Sequence, residues 1–170
     1  MGLRLARTAA IAAPVAAAIA AAPVSAAKIN APAHAKVVKP LVLKSVQDLD
    51  LGNILLGPGT WSGALVELTR GGAFTCPAAV ACSGVTQVAV YNLSGSNKQT
   101  IVINAPDVTM VNQSDPSKSL TLVVDSPGTV TLSNSGAQGQ NFPIGGSITV
   151  DSTTADGIYV GTFEVTAEYQ

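Results

Sequence analysis

The sequence is short of charge. Asp, Glu, Lys and Arg make up 11% of its 170 residues, less than half the roughly 25% usual in a soluble domain. Nine basic residues face ten acidic ones, for a formal net charge of −1, and no basic block occurs. That argues against a nucleic-acid binder, which needs a Lys/Arg footprint to displace counterions from the phosphate backbone. Histidine occurs once and cysteine twice, too few for a His/Cys-rich zinc or iron–sulfur site. Aromatics are 4% of the chain, and the stacking candidates Trp61, Phe74 and Tyr91 are scattered along it. No G-x-S-x-G, H-E-x-x-H or Walker sequence is present. A Ser-His-Asp triad would have to use His34, which reads instead as a solvated side chain. No pair of carboxylates with glycosidase character can be singled out. The expectation is a protein that is not an enzyme and needs no cofactor and no metal.

One long uncharged run does exist, at the start. Arg4 and Arg7 are followed by Ala9–Ala22, almost entirely Ala, Ile, Val and Pro. Pro23 breaks it, and Val24-Ser25-Ala26 supplies small residues at the −3 and −1 positions of a signal-peptidase site. Residues 1–26 therefore read as a cleaved secretory signal peptide; the alternative is an uncleaved N-terminal anchor. A membrane span would need about 20 strongly apolar residues, and this run is shorter and alanine-rich. No second such run follows, so no transmembrane helix is expected in the mature chain. Cleavage takes Arg4 and Arg7 away, and the nine basic residues less these two leave seven against ten acidic.

What remains is rich in turn formers, with 16 Gly and 10 Pro in the whole chain. Helical periodicity is absent after residue 27. Short Val/Ile/Leu/Thr segments recur instead, split by Gly, Pro, Asn, Asp and Ser clusters. Strands are predicted near Val38–Val46, Leu49–Leu55, Gly63–Thr69, Val85–Leu93, Gln99–Ala105, Ser119–Asp125, Thr129–Ser133, Ser147–Asp151 and Tyr159–Tyr169. Turns are predicted at Gly57-Pro58-Gly59, Asp115-Pro116-Ser117, Gly145-Gly146 and Asp156-Gly157, among others. Eight or nine short strands imply two antiparallel sheets packed face to face over residues 38–170.

Two segments alternate clearly. In the last, Tyr159, Gly161, Phe163, Val165, Ala167 and Tyr169 fall on one face and Thr162, Glu164, Thr166 and Glu168 on the other. In residues 27–37, Ala27, Ile29, Ala31, Ala33, Ala35 and Val37 alternate with Lys28, Asn30, Pro32, His34 and Lys36. This reads as an extended segment with one apolar face, allowed by Pro32 at an edge or as an inserted strand. A flexible alanine-rich linker is the alternative.

Cys76 and Cys82 form an even count in an exported chain, which implies a disulfide. Their spacing is not that of a C-x-x-C redox motif. Asp48 and Asp50 could be imagined as calcium ligands, but the third carboxylate and closing Glu of a calcium loop are missing. They read more simply as exposed residues flanking Leu49.

Leu41-Val42-Leu43 followed by Gln47-Asp48-Leu49-Asp50-Leu51-Gly52-Asn53-Ile54 resembles the opening of a family of exported Gram-negative bacterial proteins known as a domain of unknown function. The closing pattern is similar too: Ile144 to Val150, Asp156 to Thr166 and a near-terminal Tyr169. The final strand with its penultimate tyrosine is also similar to that of chaperone–usher pilin subunits. That resemblance implies an incomplete immunoglobulin-like sandwich completed by an N-terminal donor strand from a neighbouring subunit. It casts Ile29, Ala31, Ala33, Ala35 and Val37 as the donor strand, and Tyr159, Phe163, Val165 and Tyr169 as the C-terminal core strand. It further implies self-association, a periplasmic chaperone and an outer-membrane usher as partners, and a place in the periplasm, at the cell surface or in an extracellular fibre. The function expected is a structural, adhesive fimbrial subunit; the alternative is a monomeric β-sandwich module that binds carbohydrate or matrix.

Overall fold

The computed structural model describes residues 27–133 and 138–170; the expected signal peptide lies outside them. The chain divides into two units, one ending at Ala35 and the other spanning Lys36–Gln170. In the first, residues 27–35 carry no regular secondary structure and their side chains are exposed.

The second unit is all-β, and its described residues contain no helix. Every strand pairing in it is antiparallel. The strands are β1 (Val42–Gln47), β2 (Asn53–Leu56), β3 (Ala64–Leu68), β4 (Phe74–Thr75), β5 (Val80–Ser83), β6 (Ala89–Ser94), β7 (Thr100–Asn104), β8 (Val108–Asn112), β9 (Ser119–Asp125), β10 (Thr129–Thr131), β11 (Gln140–Val150), β12 (Tyr159–Val160) and β13 (Thr166–Tyr169). Nine segments are expected and thirteen form among the described residues, because Tyr159–Tyr169 is cut into two strands and β4, β5 and β8 are not foreseen.

The hub is β11. Its first half, Gln140–Ile144, pairs with β6. Its second half lies between β9 and β3. The large sheet therefore runs β1-β6-β11-β9-β8-β12, with β3 and β4 branching off. One strand serving two directions of pairing curls the sheet, as strands at sandwich corners do. Two further sheets, β10-β7-β13 and β2-β5, complete the unit.

The expected turn at Gly145-Gly146 is instead the middle of β11. A Cβ on Gly145 would overlap the backbone of Leu68, Thr69 and Arg70. Glycine marks close backbone approach here, not chain reversal. Pro143 obscures the first half of the strand; it sits where β11 is paired on one edge, the setting in which a strand tolerates proline. The expected strand Leu49–Leu55 is likewise broken at Gly52, whose φ of 74° is a left-handed conformation that other residues rarely adopt. The expected strand Tyr159–Tyr169 keeps its alternation of inward and outward side chains. Its backbone is split, however: β12 pairs with β8, β13 pairs with β7, and Gly161–Val165 passes between the two sheets unpaired.

Two hydrophobic clusters form. The first, including Val66, Leu68, Leu122 and Ile148, packs β3, β9 and the second half of β11 under the β2–β5 pair. The second, including Leu93, Ile101, Leu132 and Ile144, packs β6 and the first half of β11 under β7 and β10. Leu49, Val124 and Phe163 touch both. Each fully buried Leu, Ile or Val contributes about 1.5–3 kcal/mol.

Cys76 and Cys82 are bonded to each other, with a Cα–Cα distance of 6.1 Å. The bridge fastens the chain just after β4 to β5, and Cys82 packs against the first cluster. The ring is small, with a sequence separation of 6, so loop-closure entropy gives about 2–2.5 kcal/mol. Cys82→Ala is expected to cost no more than about 3 kcal/mol, read by denaturant unfolding. Intact-mass measurement of the unreduced wild type should find it two hydrogens lighter than the dithiol; a dithiol mass would refute the bridge.

Candidate functional site

The feature that stands out in the second unit is a groove of about 1010 Å³. One wall is residues 48–56, the other residues 154–163. The surface between them is core: Leu51, Leu122, Ile148 and Val150 are buried residues of the first cluster and also line the groove. Met110, Leu120, Ile54 and Phe163 add to it. The groove thus runs directly over the first cluster, whose residues stay buried beneath it.

Sequence parity builds the first wall. Leu49 and Leu51 point to the core and Asp48 and Asp50 to solvent. One edge of this strip is paired: Asp50 exchanges both backbone hydrogen bonds with Gln87, and β2 pairs with β5. The other edge has no ladder partner among the described residues. The second wall is similar. Gly161–Val165 is extended and alternating but unpaired. Both walls therefore present unused backbone donors and acceptors beside an apolar floor. The lips are apolar as well: Leu55 and Ile158 are each 71% exposed and Val160 51%.

One end of the groove is aromatic: the Tyr91 and Phe163 rings meet there at a tilt of 59° with centroids 6.5 Å apart. Burial, and secondarily the nearby Asp48 carboxylate, raise the Tyr91 phenol above its ordinary pKa, so it stays neutral. Outside the lining, Trp61 links the chain that follows the first wall to the chain that precedes the second: its indole N–H donates to Gly57 O and its backbone N–H to Ser152 Oγ. The lining includes the carboxylates of Asp48, Asp50 and Asp156 and no Lys or Arg.

The second wall is buttressed by Asn112, which is fully buried. Its Nδ2 donates to Asp156 O at 2.8 Å, and its Oδ1 accepts from the backbone N–H groups of Ser114 (2.8 Å) and Asp115 (3.2 Å). Sequence reasoning missed this residue. The signal was a cluster of turn formers, Asn112 to Ser117, of which only Asp115-Pro116-Ser117 was read.

The residues singled out from sequence fall as follows. Tyr159, Phe163, Val165 and Tyr169 are all half-buried; Tyr159 and Phe163 line the groove, while Val165 and Tyr169 pack against the second cluster. Ile29, Ala31, Ala33, Ala35 and Val37 are exposed and in no strand, and His34 is exposed beside them. Asp50 Oδ1 accepts from the Gly52 N–H at 2.8 Å, closing a local turn. Among the described residues no three His, Cys, Asp or Glu side chains converge as a metal site would require. Trp61 and Phe74 pack against the first cluster and Tyr91 against the second, all three half-buried. No helix in the described residues is long and apolar enough to cross a membrane.

These features define an all-β, disulfide-bonded domain of sandwich type with a groove running over its core. The chain belongs to the family described as "Domain of unknown function (DUF4402)", matched over residues 41–169. No curated protein and no solved structure matches it. The family match begins at Leu41 and so leaves residues 27–40 outside it.

Proposed function

We propose that this protein is a non-enzymatic structural subunit of a surface fibre, exported from a Gram-negative cell and assembled by strand addition in the manner of chaperone–usher pilins. The observation that carries this reading is the groove: an apolar floor flanked by two strips that are each paired on one edge at most, with Gly161–Val165 unpaired. Such an opening suits an incoming strand, which supplies hydrogen bonds along its length and side chains to the floor. The donor is the alternating segment Ile29–Val37 of a neighbouring copy. A head-to-tail contact of this kind does not close on itself and so makes filaments. An exposed groove of this type also accounts for a periplasmic chaperone and an outer-membrane usher as partners, since unpaired edges invite wrong association.

Side-chain burial is not enough to hold the donor, because each alanine contributes under about 1 kcal/mol. Backbone pairing, at about 1 kcal/mol per hydrogen bond, must supply much of the rest. Ile29→Asp is therefore expected to abolish polymer, seen by electron microscopy of cell-surface material and by size-exclusion chromatography, while the monomer keeps its β-type circular dichroism. Deletion of residues 27–37 should do the same. Polymer that survives the deletion would reject the donor strand and favour a monomeric module that binds carbohydrate or matrix.

A further inference from the structure

The groove carries charge as well as apolar surface, and the charge is of one sign. Asp48 and Asp50 lie at the Tyr91 end, and Asp156 lies seven residues before Phe163 on the second wall, beside Asn112. The segment read as its occupant has the opposite composition. Between residues 27 and 47 the chain contains Lys28, Lys36, Lys39 and Lys44 and no acidic residue. We infer that the groove takes residues 28–37 of a second copy in a register set by Lys28 and Lys36, one lysine by Asp48 and Asp50 and the other by Asp156. This rests on the reading of the groove as a strand acceptor.

Three observations support the pairing. Parity comes first. With Ile29 and Val37 turned to the floor, Lys28 and Lys36 are turned outward. Asp48 and Asp50 are outward on the adjoining strip, flanking the inward Leu49. Neighbouring strands bring outward residues beside outward residues, with Cβ atoms about 4.5–5.5 Å apart. Length comes second. Lys28 and Lys36 are eight residues apart, about 26 Å in an extended chain. On the second wall Asp156 and Phe163, which meets Tyr91, are seven residues apart, so the two lysines span a comparable stretch of chain. Exclusivity comes third. A slip by two residues preserves the apolar face, since Ala31, Ala33 and Ala35 are interchangeable, and apolar contacts alone fix register weakly. The lysines break that degeneracy.

The test uses the whole chain carrying Ile29→Asp, so that its own segment does not compete. A fluorescent peptide of residues 27–38 is titrated into it and followed by anisotropy. At low salt the peptide is expected to bind about ten-fold more tightly than its K28Q/K36Q form, in keeping with cross-strand charge pairs. The difference should vanish near ~1 M salt, where the screening length falls to about 3 Å. It should vanish also at low salt when the acceptor carries D48N/D50N/D156N. Equal binding of the two peptides at low salt, with an Ile29→Asp peptide failing to bind, would overturn the lysine register and leave the groove as acceptor. No binding by either peptide, or binding indifferent to Ile29→Asp, would overturn both.

Discussion

Tyr169→Ala is expected to lower the unfolding free energy by about 3–5 kcal/mol, the range for removing a packed aromatic side chain. Tyr169 is the penultimate residue, yet it packs against the second core cluster. Its hydroxyl accepts from the Ser96 N–H at 2.9 Å and donates to Lys39 O at 2.6 Å. The same side chain thus closes the last strand, holds the β6–β7 turn, and pins the backbone where the N-terminal segment leaves the domain. Tyr169→Phe should keep the packing and lose about 1–1.5 kcal/mol, the net of the hydroxyl's hydrogen bonds. Glu168→Ala, one residue away and exposed, should stay within about 0.5 kcal/mol of wild type. Denaturant unfolding of the three variants separates these cases. Similar losses for Tyr169→Ala and Glu168→Ala would show that the parity of the last strand is wrong.

Asn112→Leu, close in size and without polar atoms, should be nearly as damaging, at about 2–4 kcal/mol. The substitution leaves two backbone N–H groups, those of Ser114 and Asp115, and the Asp156 carbonyl without their partner. The loss should be local first. Hydrogen exchange in Ser114–Lys118 and Asp156–Val160 should accelerate before the rest of the sheet opens, because Asn112 is the tie between these two segments. A cost under about 1 kcal/mol, or exchange that rises uniformly, would mean that the groove wall does not depend on this side chain.

Much of the architecture was legible in the sequence, for identifiable reasons. Ser119–Asp125 is a strand with the bounds read from its pattern, because both of its ends carry unambiguous turn residues. The inward set of the last segment follows from a period of two, which a strand cannot evade. Gly145-Gly146 was misread because glycine pairs punctuate chains, and nothing local says that the backbone of Leu68–Arg70 arrives from elsewhere. β5 was hidden because Val80–Ser83 is short and holds a cysteine; its strand character comes from pairing with β2.

The candidate site divides in the same way. The alternation of Asp48 to Leu51, the apolar face of Tyr159–Tyr169, the disulfide and the basic, alternating stretch from Lys28 to Val37 are all properties of neighbours in sequence. Local chemistry determined them before any fold existed. That residues 48–56 and 154–163 stand opposite each other, with a groove between them over the first cluster, is a different kind of fact. It follows from β11 serving two directions of pairing and from Gly161–Val165 crossing between sheets without a partner. Only the tertiary structure could decide it, because an open groove is a missing neighbour, and sequence patterns report which face of a segment is apolar but not whether anything lies against it.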